Sequence, residues 1–125
     1  MTTSRWFVCL AGATLICAGT ATAQPYPNRP LRLLVPGASG SSQDVLSRIL
    51  ATRLSEQIRQ QVVVDDRAGA SGMIGIELGK AAAPDGYTLI AATSTLFATL
   101  PALGAKLSFD PDHDFVPLSR MASVS

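Results

Sequence analysis

The sequence predicts an α/β fold in which helices cover both faces of a parallel β-sheet. Three short, mostly apolar runs at residues 31–35, 61–65 and 87–92 have the length and the side chains of buried strands. Two helical patterns separate them, the first of which is long and amphipathic. Strands and helices that alternate at this spacing are typical of right-handed βαβ units, which build a parallel sheet.

The first strand, LRLLV, lies between Pro30 and Pro36 and follows a proline-rich, extended lead-in at residues 24–30. The loop PGASGSSQ leads from this strand into the long helix, in which apolar residues recur at helical spacing. Charged residues take the other positions, so we expect the apolar stripe to face the sheet. Its members are Val45, Leu46, Ile49, Leu50, Leu54 and Ile58.

The second strand, QVVVD, is followed by the loop DRAGASG and by a shorter helix from about residue 73 to 82. Gly75 and Gly79 lower the helix propensity of this segment but allow another backbone to pack closely against it. The sequence APDGY then has the proline and glycine spacing of a turn, and the third strand, YTLIAA, begins there.

The last part of the chain is predicted to hold a short helix around residues 96–103, interrupted by Pro101. A fourth strand is expected near Val116–Leu118. The sequence stops soon afterwards, at Ser125, with no further helix to cover the edge of the sheet. We therefore expect the first half of a larger fold.

Residues 1–23 have the pattern of a secretory signal peptide. Arg5 supplies the positive start, and an apolar segment too short to span a bilayer comfortably follows it. Ala21-Thr22-Ala23 then forms a small-x-small cleavage site before Gln24. An uncleaved membrane anchor is the alternative. The predicted domains are thus a signal peptide at 1–23 and one partial domain at 24–125, exported to a periplasm.

Composition excludes several kinds of function for the mature chain. Both cysteines, Cys9 and Cys17, lie in the predicted signal peptide, which leaves no disulfide, catalytic thiol or cysteine metal site. Of the ten basic residues Arg5 also lies there, so nine remain to balance the nine acidic residues. This balance gives no basic surface, and we expect no nucleic-acid partner and no stable membrane insertion after signal cleavage.

The tetrapeptide GASG occurs twice, at 37–40 and 69–72, each time between a predicted strand and a predicted helix. Ligands of open α/β sheets bind at the carboxyl ends of the strands, where glycine allows close approach and helix starts offer unpaired N–H groups. The two loops could therefore hold a carboxylate through backbone amides and serine hydroxyls. Ordinary turn and cap chemistry explains the same residues. Asp44, three residues after a predicted N-cap at Ser41, fits either a cap or a ligand contact.

Other kinds of site lack their signatures. The sequence GASGS does not match the G-x-S-x-G elbow of hydrolases, and no dinucleotide or P-loop glycine motif follows the first strand. His113 is the one histidine and is expected to be a solvated surface residue. Asp110, Asp112 and Asp114 alternate as in a calcium loop but lack its glycine and glutamate. We expect no metal, no cofactor and no catalytic residue.

Five segments in order resemble the tripartite tricarboxylate transporter substrate-binding proteins, the Bug family of periplasmic solute receptors. They are YPNRPLRLLVP followed by Asp44, QVVVDDRAGASGMIG, AAAPDGYTLIAATST, LPAL and FDPDHDFVPLS. These segments run from residue 26 to about 119, nearly the whole mature chain. The most specific part is APDGYTL followed by a D-P-x-x-D-F-x-P segment.

The resemblance implies the first lobe of a two-lobe, type II-like periplasmic binding fold that closes on its ligand like a hinged trap, here truncated. It implies a small carboxylate as ligand, held by loop amides, hydroxyls and bridging water, and membrane transporter subunits as possible partners. The loops that correspond are 37–44, 69–73 and 93–95. The implied ligand-binding residues are Ser39, Gly40, Ser41, Asp44, Gly69, Ser71, Gly72, Met73, Thr93, Ser94 and Thr95.

The chain departs from the family pattern at both loops and in length. The family's Pro-Phe-x-x-Gly-Gly is PGASGS at 36–41, which lacks the aromatic residue, and its Asn-Arg-Pro-Gly-Ala-Gly-Gly-Asn is DRAGASGM at 66–73. Family members are two to three times longer, so we expect weak binding and a tendency to associate. Two other interpretations stay open: a small exported hydrolase-like enzyme that uses Asp44 and His113 as acid and base, and a non-functional fragment of an interrupted gene.

Overall fold

The computed structural model describes residues 25–123, which form a three-stranded parallel sheet with the order β2-β1-β3. Strand β1 is Leu31–Val35, β2 is Val62–Asp66 and β3 is Thr88–Ile90. In the register of the sheet, Leu33 lies opposite Val64 on one side and Leu89 on the other. The three predicted parallel strands are therefore confirmed, with β3 shorter than predicted.

Two main helices connect the strands. Helix α1 is Ser42–Ile58 and joins β1 to β2, and helix α2 is Met73–Lys80, preceded by a 3₁₀ turn at Ala70–Gly72. After β3 a π-helical turn at Thr95–Thr99 continues into α3, Leu100–Ala102. Pro101 lies where the helical run changes from π-helical to α-helical, and the run continues past it. The predicted interruption at Pro101 is therefore wrong.

The helices lie on opposite faces of the sheet, as the fold class requires. Leu31, Leu33 and Val35 point to one face, where Ala51 of α1 packs on them. Leu34 points to the other face, which carries α2, because a Cβ on Gly79 would meet Leu34 and Ile90. A second core of Ile76, Leu96 and Phe109 covers that face, with the rings of Phe97, Phe109 and Phe115 packed on one another.

The predicted apolar stripe of α1 does not face the sheet. Only Leu54 and Ile58 of the predicted set pack against the core. Val45, Leu46, Ile49 and Leu50 are instead 36–58% exposed. The buried face of α1 is formed by Asp44, Ser47 and Ala51, which follow one another at helical spacing.

The first turn of α1 is anchored to the preceding loop. Asp44 accepts a hydrogen bond from the N–H of Gly40, and its own N–H donates to Ser41, so Asp44 belongs to the buried face of the helix. The small side chain of Ala51 then lets the helix approach β1 closely. A groove of about 240 Å³ runs along the exposed face, between Leu46, Ile49, Leu50, Arg53 and Met121.

Two further predictions concern the ends of the chain. Residues 116–118 do not form the predicted strand, and Val116 and Leu118 are both largely exposed. The predicted signal peptide at 1–23 lies outside the described residues. Within residues 25–123, no helix combines the length and the apolar character that crossing a membrane requires.

Candidate functional site

Three loops meet at the carboxyl ends of the strands. We call them loop 1 (residues 36–41, after β1), loop 2 (67–72, after β2) and loop 3 (91–94, after β3). The chain leaves β1 towards α1 on one face, whereas it leaves β3 towards Leu96 on the face of α2. The gap between β1 and β3 is therefore the topological switch point, where open α/β sheets bind ligands.

Loop 1 is held by the first turn of α1. Ser41 is the N-cap of α1, and its Oγ accepts a hydrogen bond of 3.3 Å from the backbone N–H of Asp44. The Asp44 carboxylate accepts a bond of 2.7 Å from the N–H of Gly40, one residue before the cap. This arrangement is a variant of the capping box, in which the shorter aspartate reaches back to a different amide. Gly40 has φ +82°, in the left-handed region that favours glycine.

Asp44 also belongs to a charge network that joins loop 1 to the end of β2. Its side chain is 4% exposed, and Arg48 Nε lies 2.6 Å from its Oδ1. The same guanidinium lies 2.9 Å from the carboxylate of Asp66, the last residue of β2. The N–H of Gly40 and the Arg48 guanidinium hold the pKa of Asp44 below its usual value, and Asp44 in turn raises the pKa of Arg48. The Asp44 carboxylate is thus engaged within the protein, as the cap interpretation expects.

Loop 2 has the same tetrapeptide but another conformation. Gly69, Ala70, Ser71 and Gly72 all have positive φ values, from 46° to 119°. No side chain caps the start of α2. Gly72 is buried against loop 1, since a Cβ on it would lie 2.8 Å from the Pro36 carbonyl oxygen and 3.1 Å from Leu96 Cδ1. Ser71 and Gly69 are exposed and Met73 is half-buried.

Loop 3 completes the site. Its backbone continues the sheet, because the N–H of Ala91 donates to the carbonyl of Leu34 at 2.9 Å. Thr93 is half-buried and accepts a hydrogen bond from the N–H of Phe97, while Ser94 and Thr95 are exposed. The Gln43 side-chain amide donates to the carbonyl oxygen of Ala91 and so joins α1 to loop 3.

The structure thus brings the predicted binding loops together. Loop 2 touches loop 1 through Gly72 and Pro36, and loop 3 touches loop 1 through Gln43. The exposed polar groups of the site are serine and threonine hydroxyls and backbone groups of the loops. The nearby arginines Arg32, Arg48 and Arg67 already pair with aspartates. Such hydroxyl and backbone groups are suited to an oxygen-rich anion.

Two residues of this region were missed by the sequence analysis, Gln43 and Arg48. Arg48 could have been inferred, because it stands four residues after Asp44 on the same helix and such pairs attract. Gln43 gave no such signal, since its partner Ala91 is 48 residues away along the chain.

His113 and Asp44, the acid and base of the enzyme interpretation, are each bonded to other residues rather than to each other. The side chain of His113 is 84% exposed and its Nδ1 lies 2.9 Å from Asp110. Asp44 is buried and bound to Gly40 and Arg48. The aspartates near His113 stabilise a turn: the Asp114 carboxylate accepts a hydrogen bond from the N–H of Asp110 and pairs with Lys80. Within residues 25–123 no three His, Cys, Asp or Glu side chains are grouped to hold a metal ion.

Comparisons with known proteins agree with this fold. The chain is 38% identical to protein BugT of Bordetella pertussis over 113 residues, which are 90% of this chain and 35% of that protein. Among solved structures, MatC from Rhodopseudomonas palustris with bound malate has a TM-score of 0.69 and 32% identity, and covers 74% of this chain and 31% of that one. An R. palustris protein with adipate has a TM-score of 0.60 and 33% identity, with coverages of 70% and 29%.

The chain spans about a third of the length of the curated relatives it matches. A family model described as the tripartite tricarboxylate transporter family receptor matches residues 46–125. The match includes α1 from residue 46 onwards, β2, loop 2, α2, β3 and loop 3. The predicted resemblance is therefore confirmed, and the chain belongs to the tripartite tricarboxylate transporter receptor family.

Proposed function

We propose that this chain is the N-terminal part of a periplasmic receptor that captures a small carboxylate for a tripartite tricarboxylate-type membrane transporter. Family membership supports a receptor rather than an enzyme. Two similar structures hold dicarboxylates, malate in one and adipate in the other. In this proposal residues 1–23 are the signal peptide and residues 24–125 are part of the first lobe.

The observation that carries the proposal is the meeting of loops 1, 2 and 3 at the switch point of the sheet. A carboxylate there would be held by loop N–H groups and by the hydroxyls around them, with no arginine required. Most of the proposed contact residues are exposed or half-buried and so accessible. They are Ser39, Ser41, Gly69, Ser71, Met73, Thr93, Ser94 and Thr95. Gly40, also predicted, is exposed, but its N–H already donates to Asp44.

Asp44 and Gly72 have a supporting role in this proposal. The buried Asp44 carboxylate would repel a second carboxylate if it faced the ligand, but it is bonded to the N–H of Gly40 and paired with Arg48. In this proposal Asp44 therefore stabilises the conformation of loop 1 without contacting the ligand. Gly72 lets loop 2 pass under Pro36 without a clash.

Calorimetric titration of the purified chain with malate and adipate, and with their neutral dimethyl esters, tests the proposal. We expect weak, saturable binding of the acids and none of the esters, because only the acids carry the charge that the loops attract. A chain that binds acid and ester equally, or neither, would contradict the proposal.

The hydrolase-like alternative has its own test in the His113→Ala variant. A receptor should bind the acids with unchanged affinity when His113 is replaced, because that side chain is exposed and pairs with Asp110. Turnover of an ester substrate that disappears in His113→Ala would favour the enzyme instead.

A further inference from the structure

The side-chain amide of Gln43 crosses the gap between loop 1 and loop 3. Gln43 is the second residue of α1 and is half-buried. Its Nε2 donates to the carbonyl oxygen of Ala91 in loop 3. Its Oε1 lies next to Gly37 in loop 1, where a Cβ would be only 3.1 Å from that oxygen. The amide therefore stands at the topological switch point itself.

Chemistry fixes which end of the amide faces which loop. A backbone carbonyl can only accept a hydrogen bond, so the group that meets Ala91 must be the NH₂. The oxygen then faces Gly37. No donor within residues 25–123 is bonded to this oxygen, and Gln43 Oε1 is not among the buried polar atoms left without a partner. It is thus an open acceptor at the edge of the proposed carboxylate site.

Gly37 is what leaves the acceptor open. A Cβ at position 37 would lie 3.1 Å from the Gln43 oxygen, so the amide would have to shift by a few tenths of an ångström. The absence of a side chain at position 37 therefore keeps this oxygen accessible.

We infer that Gln43 is a specificity-determining residue that selects carboxylates with a hydroxyl or ammonium group beside the acid. Its oxygen repels carboxylate oxygens, which leaves these to the loop N–H groups, and accepts a hydrogen bond from a donor on the adjacent carbon. The ligand class is then a 2-hydroxy or 2-amino acid rather than an unsubstituted dicarboxylic acid. This inference rests on the proposed function.

Malate and succinate form the sharpest probe pair, because they differ by one hydroxyl on a four-carbon diacid. One neutral hydrogen bond corresponds to roughly 3- to 10-fold in affinity, so the chain should bind malate more tightly than succinate by about that factor. The Gln43→Leu variant, which removes the acceptor, should bring the affinity for malate down to that for succinate. Gln57→Leu, an exposed position on the same helix, is the matched control and should keep the preference.

A second variant guards against misfolding of Gln43→Leu. Gly37→Ala keeps Gln43 but places a methyl group against its oxygen, and it should reduce the preference for malate. Equal affinities of the unaltered chain for malate and succinate would overturn the inference and leave the proposed function standing. An equal loss of affinity for malate and for succinate in Gln43→Leu would show that Gln43 has a merely structural role, and would also overturn the inference. No binding of malate, succinate or adipate would overturn both.

Discussion

Loops 1 and 2 contain the same tetrapeptide and share the same place in a βαβ unit, yet their backbones differ. In loop 1 only Gly40 has a positive φ, whereas all four GASG residues of loop 2 do. Loop 1 is shaped by polar contacts with the first turn of α1, chiefly those of Ser41 and Asp44. Loop 2 is shaped by packing, because Gly72 lies under Pro36 and Leu96. Small residues allow either conformation, and the neighbouring residues decide which one forms.

The final glycine of each tetrapeptide gives the largest expected contrast. Gly72→Ala combines a left-handed backbone with a Cβ 2.8 Å from the Pro36 oxygen, and should lower the free energy of unfolding by about 3 kcal/mol. Gly40→Ala has the same backbone strain but open space around it, and should cost only about 1 kcal/mol. Chemical denaturation of both variants measures the difference. Equal costs would show that loop 2 is not held by packing.

Acid should loosen loop 1 through Asp44. The folded-state pKa of Asp44 is lowered by the Gly40 N–H and by Arg48, so its contribution to stability is complete above its unfolded pKa. That contribution is lost as the pH falls through the folded pKa, below about pH 4. Asp44→Asn should have a lower melting temperature than the unaltered chain at pH 7. The difference between the two melting temperatures should shrink as the pH falls. The exposed Asp112→Asn is the control, and a constant offset of Asp44→Asn at all pH values would contradict this prediction.

A serine side chain caps helix α1, whereas no side chain caps helix α2. Ser41→Ala removes the N-cap bond of α1 and should cost about 1 kcal/mol of unfolding free energy. Ser71→Ala should change it by less than about 0.5 kcal/mol, because no side chain caps α2 and Ser71 is exposed. Thermal unfolding compares the two, and equal losses would show that Ser71 makes a contact comparable to that of the Ser41 cap.

The smallest expected effect is a gain. Ser71 has φ +57°, which glycine adopts without strain, so Ser71→Gly should raise stability by a few tenths of a kcal/mol to about 1 kcal/mol. Ser39→Gly, in loop 1, has no such strain to relieve and should be neutral or slightly destabilising. A loss of stability in Ser71→Gly would mean that the Ser71 side chain makes a contact in loop 2 that outweighs its strain.

The order and type of the main elements could be predicted from the sequence, because alternating strand and helix patterns are local signals. The orientation of α1 could not. Its aliphatic residues at 45, 46, 49 and 50 form a convincing stripe, but the cap at Asp44 fixes the first turn and Ala51 fits the sheet more closely. The buried Asp44 also pairs with the exposed Arg48, which reaches Asp66 on another strand, and no local pattern signals that contact. The strand expected at 116–118 did not form, and Pro117 within that short run already weakened the prediction, because proline is confined to edge strands.

The positions of loops 1, 2 and 3 could also be predicted, since strand ends and helix starts are visible in the sequence. Their relation to one another needed the structure. The contact of Gly72 with Pro36 joins residues 36 positions apart, and that of Gln43 with Ala91 joins residues 48 apart. Neither pair has a pattern in the sequence, because such contacts follow from the strand order β2-β1-β3.

The most direct test of the proposed carboxylate site is a titration of the isotope-labelled chain with malate, followed through backbone amide NMR shifts. We expect the shifts to concentrate at residues 37–43, 69–73 and 91–95, and to be absent with dimethyl malate. Shifts confined to the groove of Leu46, Ile49, Leu50, Arg53 and Met121, or equal for the acid and its ester, would contradict a carboxylate site formed by loops 1, 2 and 3.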